Sequence, residues 1–140
     1  MALNPQFVSV ANNQAAIFLL ADGTTAKKIW DTTYADGGVV DQIHLVNLDT
    51  VAREVELYFR KAAVNYQLCV FEIPASAGDD GNPAYIPPIN LVDPSILPGV
   101  DADPNRRLTL EVGDELWLAM RVALAGAPAA MHVAVFGGDY

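Results

Sequence analysis

The sequence predicts an all-β fold: an antiparallel β-sandwich of jelly-roll type, with about eight strands and one long proline-rich loop. Apolar and polar residues alternate with period two along most of the chain, and helical periodicity is hard to find. Short clusters of Gly, Asp, Asn and Pro separate the alternating runs. At 140 residues and 15.0 kDa the chain has the size of one domain. By area scaling, folding would bury about two-thirds of its surface, enough for a core without disulfides.

Taken in order, Gln14 to Ala21 and Thr25 to Trp30 are the weaker strand signals, separated by Asp22-Gly23. Val40 to Leu48 sets Ile43 and Leu45 against Gln42, His44 and Val46. The polar stretch Asn47-Leu-Asp-Thr50 reads as a hairpin turn leading into Arg53 to Lys61. That run is the clearest half-buried strand, with Val55, Leu57 and Phe59 facing one way and Glu54, Glu56, Tyr58 and Arg60 the other. Tyr66 to Ile73 is apolar on both faces, which predicts a central strand. In the last third, Leu108, Leu110 and Val112 alternate with Arg107, Thr109 and Glu111 before a turn at Gly113-Asp114. Leu116, Leu118, Met120 and Val122 then share a face opposite Glu115, Trp117 and Arg121. Finally, Met131, Val133 and Val135 alternate with His132, Ala134 and Phe136.

Pro74 to Pro104 breaks the rhythm, with seven of the nine prolines. Loops this long are usually functional or disordered, and the apolar content of this one sets it apart from a disordered linker. Proline fixes φ and lowers the entropy of the free loop. Two readings stand: an ordered arm laid on a partner, or a long crossover packed on its own sandwich. The N-terminal residues 1–12 form a second possible extended arm.

Composition excludes several function classes. Eight Lys and Arg against 17 Asp and Glu give a formal net charge of -9, and the sequence pI is about 4.3, so no basic face for nucleic acid is expected. Only 18% of residues are charged and 52% are hydrophobic, which points to a surface partly covered by a partner. The longest early apolar run, Ala15 to Ala21, is too short to span a membrane. The opening Met1-Ala-Leu-Asn-Pro lacks the basic flank of a secretory signal, so synthesis in the cytoplasm is expected.

No enzyme is expected. The sequence lacks a nucleophile elbow, a phosphate-binding loop and a dinucleotide fingerprint. The one cysteine, Cys69, sits in an apolar run as a small core residue would, and it rules out an internal disulfide and a four-thiolate zinc site. His44 and His132 each lie opposite their strand's main apolar set; with no third histidine, two unrelated half-exposed side chains is the better account. Asp101-Ala-Asp103-Pro-Asn105 has alternate-residue oxygens like a calcium loop, but Arg106 and Val112 stand where that loop needs glycine and glutamate. Asp79-Asp80-Gly81-Asn82 reads as a turn. No cofactor or metal is expected. Trp30 and Trp117 leave one alternative open, a carbohydrate- or receptor-binding sandwich that displays aromatic platforms.

Four stretches carry a resemblance: Ile43-His-Leu-Val-Asn-Leu-Asp-Thr50, Arg53-Glu-Val-Glu-Leu-Tyr-Phe-Arg60, Arg106-Arg-Leu-Thr-Leu-Glu-Val-Gly-Asp-Glu-Leu-Trp117 and the ending Val135-Phe-Gly-Gly-Asp-Tyr140. With the acidic, cysteine-poor, strand-rich character of the chain, they resemble the capsid cement (decoration) proteins of tailed bacteriophages, in particular the jelly-roll cement protein of the Bordetella phage group. The resemblance implies a virion protein on the capsid exterior that bridges neighbouring major capsid protein subunits and carries out no reaction. It also implies self-association as a homodimer or trimer. Under this reading the candidate partner-binding residues are Phe7 and Val8 of the N-terminal arm, Tyr85, Ile86, Leu91, Ile96 and Leu97 of the segment 75–104, and Trp117.

Overall fold

The computed structural model describes residues 8–85, 108–125 and 129–140. Nine strands run through them: β1 (Val10–Ala11), β2 (Gln14–Leu19), β3 (Lys27–Asp31), β4 (Gly38–Asn47), β5 (Arg53–Lys61), β6 (Val64–Ile73), β7 (Leu108–Leu110), β8 (Glu115–Met120) and β9 (Ala130–Asp139). Every pairing is antiparallel, and the pairings are nested: β2 with β9, β3 with β8, β4 with β7, β5 with β6. The chain thus doubles back as one long hairpin. Rolling that hairpin brings β9 also against β4 and β8 also against β5. Two layers result, a five-stranded sheet in which β1 and β2 both pair β9, followed by β4 and β7, and a four-stranded sheet β3-β8-β5-β6. This is the all-β jelly-roll sandwich that the alternation predicts.

The core lies between the layers. Phe18, Ile43, Leu45, Met131, Val133 and Val135 from the first sheet meet Trp30, Val55, Leu57, Ile73, Leu116 and Leu118 from the second. All but Trp30, whose neighbour Ile29 is buried too, are inward members of alternating pairs, and the sequence pattern and the burial agree for β5, β8 and β9. Val122 departs from the expected face: β8 ends at Met120, and Val122 stands exposed in the bend that follows.

Connections differ from the sequence reading. Asn47 to Thr50 joins β4 in one sheet to β5 in the other, so it is a corner between layers and not a hairpin turn. The tight hairpin is β5–β6, turned by Ala62 and Ala63 at φ 50° and 64°. Two consecutive left-handed residues are the geometry that Asn-Gly adopts cheaply and alanine does not. Replacing Ala62-Ala63 by Asn-Gly is therefore expected to stabilise the protein by about 1 kcal/mol in denaturant unfolding. A change near zero or a loss would show that the turn is not held in that conformation.

Strand β6 is the edge of its sheet, not its centre. Its two-sided apolar look comes from a bulge: Leu57 pairs Cys69 and Tyr58 pairs Gln67, leaving Leu68 unpaired. Leu68 and Cys69 consequently both pack against the core, and the alternation changes parity between them.

The chain near the N-terminus is tied down. The Ser9 N–H donates to the Asp139 carbonyl at 2.8 Å and β1 pairs β9, so residues 9–12 belong to the sheet edge instead of reaching away as an arm. Residues 1–7 lie outside the described residues. The start of the proline-rich segment also stays on its own sandwich. Where β7 stops, the Asn47 N–H donates to the Ala77 carbonyl, and Leu45 and Tyr85 exchange two backbone hydrogen bonds of 2.9 Å. The turn at 79–82 has Asp80 and Gly81 at φ 49° and 81°, and the Asn82 N–H closes on the Asp79 carbonyl. The rest of that segment, residues 86–107, lies outside the described residues.

Candidate functional site

Two clusters of buried polar side chains stand out among the described residues. One cluster joins β1, β2, β3 and β9. The Asn12 amide donates to the Asp31 carbonyl at 2.9 Å and to Asp139 Oδ1 at 3.1 Å. Thr32 Oγ1 donates to the same Asp139 oxygen at 2.7 Å, and the Gln14 amide donates to Asp31 Oδ1 at 2.9 Å. The Trp30 indole N–H donates to the Asn12 carbonyl at 3.0 Å. Asp31 feels opposing effects: burial favours its neutral form, and hydrogen bonds from Lys28 and Gln14 outweigh that and hold its carboxyl below the ordinary range. Every donor here points at a fixed protein acceptor, and among the described residues no buried side-chain N or O lacks a partner. The cluster is a latch between the two layers.

A second buried group, Asp49 with Arg53, ties the β4–β5 corner to the loop before β9 through the Ala123 carbonyl and the Ala125 N–H. Cys69 is half-buried, and burial pushes its thiol above the usual cysteine range, away from the reactive thiolate. Among the described residues no group of three or more His, Cys, Asp or Glu is placed to hold a metal ion. Asp101 and Asp103 lie outside those residues.

The two outer faces of the sandwich differ sharply in charge. On the four-stranded sheet, β5, β8 and the bend after β8 display Glu54, Glu56, Tyr58, Arg60, Glu115, Trp117 and Arg121. These side chains neutralise one another: Arg121 reaches Glu56 at 3.2 Å and Glu54 at 3.3 Å, and Arg60 reaches Glu115 at 3.7 Å. Lys28 adds a pair with Asp31 at 2.8 Å.

On the five-stranded sheet the register lines up uncharged side chains in rows across β2, β9 and β4. Ile17, His132 and Val46 form one row; Ala15, Ala134 and His44 form the next; Phe136 and Gln42 close the third. None of these is Asp, Glu, Lys or Arg, though Asp41 stands exposed at the β4 bulge beside Gln42, and Ile17 and Phe136 are 51% and 42% exposed. Leu19, the last residue of β2, and Leu20 beyond it extend the apolar surface. The two histidines share this face but do not converge: each sits in its own row, and the His44 ring meets the Phe136 ring edge-on at 6.3 Å. Sequence alternation alone assigned His44, His132 and Phe136 to outer faces. That the three lie on one surface follows only from the β4–β9 register.

The residues singled out as partner-binding are scattered. Phe7, Ile86, Leu91, Ile96 and Leu97 lie outside the described residues. Val8 is exposed beside Gly138 on β9. Tyr85 is half-buried, bridged to Leu45 and stacked on Phe71 with ring centroids 6.0 Å apart, so its ring is used within the sandwich. Trp117 lies on the charged face with the Arg60 guanidinium 4.3 Å from its ring centre, which already occupies that ring's surface. Trp30 is wholly buried. Neither tryptophan therefore offers a bare aromatic platform for a sugar.

No protein-family model matches the chain, and no curated protein sequence matches it. Among solved structures, the NLP-core of Drosophila, described in connection with pentamer formation and histone binding, is similar over 91% of this chain and 99% of its own, at 9% identity and a TM-score of 0.47.

Proposed function

We propose that this chain is a non-catalytic structural protein of a phage virion that binds the outside of the capsid and cements neighbouring major capsid protein subunits. The observation that carries the reading is the charge asymmetry of the sandwich. A chain with net charge -9 keeps Asp, Glu, Lys and Arg out of the rows across β2, β9 and β4, with Asp41 at the β4 bulge as an exposed acid beside them, while the opposite face is laced with ion pairs. Charged side chains are depleted at the centres of protein interfaces, because desolvating them costs more than neutral contacts do. The uncharged face is the capsid-contacting surface on this reading, and the acidic remainder keeps the decorated particle soluble.

Size decides how such a surface works. Three strands about 4.8 Å apart and about six residues long span roughly 300 Å². A stable pairwise interface needs about 800 Å² per partner. One such contact is weak alone, and a capsid lattice compensates by presenting many sites at high effective concentration. The test is co-sedimentation with phage heads. The native chain should pellet with heads and be released by mild denaturant. Ile17→Asp with Phe136→Asp, both exposed, should leave the circular dichroism spectrum unchanged and weaken attachment at least tenfold. Undiminished attachment of that variant would overturn the assignment of the face, and a native chain that ignores heads would overturn the function.

A further inference from the structure

In an Asp-Gly pair the glycine nitrogen is open to attack the aspartate's own carboxyl, because glycine has no side chain to shield it. The chain has three such pairs, Asp22-Gly23, Asp36-Gly37 and Asp80-Gly81, and the fold treats them differently. The Asp22 carboxylate accepts the Leu19 N–H at 2.7 Å and lies 2.6 Å from the Lys27 ammonium. The Gly23 N–H is also engaged, donating to the Leu20 carbonyl at 3.1 Å. Gly37 is buried, its N–H donating to the Tyr34 carbonyl at 3.0 Å and its carbonyl accepting from the Tyr140 N–H. At Asp80-Gly81 the reacting groups are free. Both residues are exposed, and neither the Asp80 carboxylate nor the Gly81 N–H has a partner among the described residues. Around Gly81 there is open space even for a Cβ. Asp80 also sits at φ 49°, a left-handed conformation that is costly for an L side chain.

We propose that Asp80-Gly81 is a site of spontaneous isoaspartate formation, and that the fold directs the reaction there and away from the other two pairs. The inference does not depend on the capsid reading. The Gly81 nitrogen attacks Cγ of the protonated Asp80 carboxyl. The N–Cγ bond forms, the Cγ–OH bond breaks, and the amide proton leaves with the hydroxyl as one water. Water then opens the resulting succinimide. Addition at the side-chain carbonyl restores aspartate. Addition at the main-chain carbonyl breaks that carbon's bond to nitrogen, frees an α-carboxyl and routes the chain through Cβ. No oxidant or cofactor takes part. The product's backbone is one carbon longer, which releases the left-handed constraint at residue 80. It also displaces the Asn82 N–H from the Asp79 carbonyl, the 2.8 Å bond that closes the turn. Ala77 and Tyr85 keep both ends of the loop fastened to β4, so the change is confined to the turn.

Peptide mapping of the folded chain tests this, after several weeks at physiological temperature and mildly acidic pH in heavy-oxygen water. The peptide containing Asp80 should split into aspartyl and isoaspartyl forms, the latter carrying heavy oxygen. It should convert at least tenfold faster than the peptides containing Asp22 or Asp36. In the urea-unfolded chain the three pairs should convert at similar rates. Asp80→Glu, whose ring would be one carbon larger, should stop conversion at that position and leave the other two pairs as they were. A folded chain with no isoaspartate at residue 80, or with equal conversion at residues 22 and 36, overturns the proposal. So does the same preference for residue 80 in the unfolded chain, because neighbouring sequence and not the fold would then choose the site.

Discussion

Trp30→Ala is expected to lose about 3–5 kcal/mol of folding stability, the usual range for emptying a buried large aromatic site. For a domain whose whole stability is about 5–15 kcal/mol, that is a large fraction, and the thermal midpoint should fall on the order of 15 °C. Trp30 is 0% exposed and stands where three strands meet. It fits because the backbone opposite has no side chains: a Cβ at Gly38 would stand 2.9 Å from Trp30 Cη2, and one at Gly137 would stand 3.4 Å from Cζ2. Its indole N–H also fastens the chain before β2 through the Asn12 carbonyl. Trp30→Phe keeps most of the ring volume and forfeits that hydrogen bond, so it should cost about 1–2 kcal/mol. Urea unfolding of the three proteins checks the order. A loss below about 1 kcal/mol for Trp30→Ala would mean that the slot between Gly38 and Gly137 is not where the ring packs.

Strand existence was legible where alternation runs unbroken. The Arg53 to Lys61 run in the sequence coincides with β5, because nothing in it interrupts the two-residue period. Alternation fails at bulges, and among the described residues there are three: between Lys28 and Trp30, between Val40 and Gln42, and at Leu68. The first leaves Ile29 and Trp30 both buried, which weakens the strand signal of β3. The last disguises an edge strand as a central one. Sheet membership was not legible either. Asn47 to Thr50 has the composition of a hairpin turn, yet a corner between layers needs the same residue types. Conversely, Ala62-Ala63 turns a real hairpin with no turn residue at all, held there by the strands on either side.

The candidate surface was legible only in pieces. Apolar excess with few charges pointed to a covered face, and period two put His44, His132 and Phe136 outside the core. Their assembly with Ile17 into one uncharged surface depends on β9 lying between β2 and β4, a pairing between segments more than 80 residues apart in sequence. Local pattern carries no information about that. Tyr85 shows the opposite error: an apolar residue in a proline-rich stretch suggested reach, but its backbone completes the β4 edge that the short β7 leaves open.

Arg53→Met should cost about 3–5 kcal/mol at neutral pH, since it strands a buried carboxylate. Arg53 Nε donates to Asp49 Oδ2 at 2.7 Å and Nη2 approaches the same oxygen at 2.5 Å, with both side chains almost wholly buried. Burial by itself would raise the Asp49 pKa. The Arg53 hydrogen bond and the Ala125 and Val51 backbone N–H groups outweigh it and hold the carboxyl below its ordinary value. A depressed folded pKa gives stability that is present above the unfolded value near 3.9 and lost as the pH falls through the folded one. Without Arg53 the burial effect gains weight and the carboxyl pKa rises, so the variant sheds less stability in acid than the native chain does. The difference between the two proteins should therefore shrink as the pH drops below about 4. Asp49→Asn with Arg53→Met removes both charges and keeps one carbonyl acceptor for the Val51 N–H, giving up the longer Ala125 contact, so it should recover much of the loss. Strictly additive losses in that double variant would show that the two side chains act separately and that the corner between β4 and β5 is held by its backbone alone.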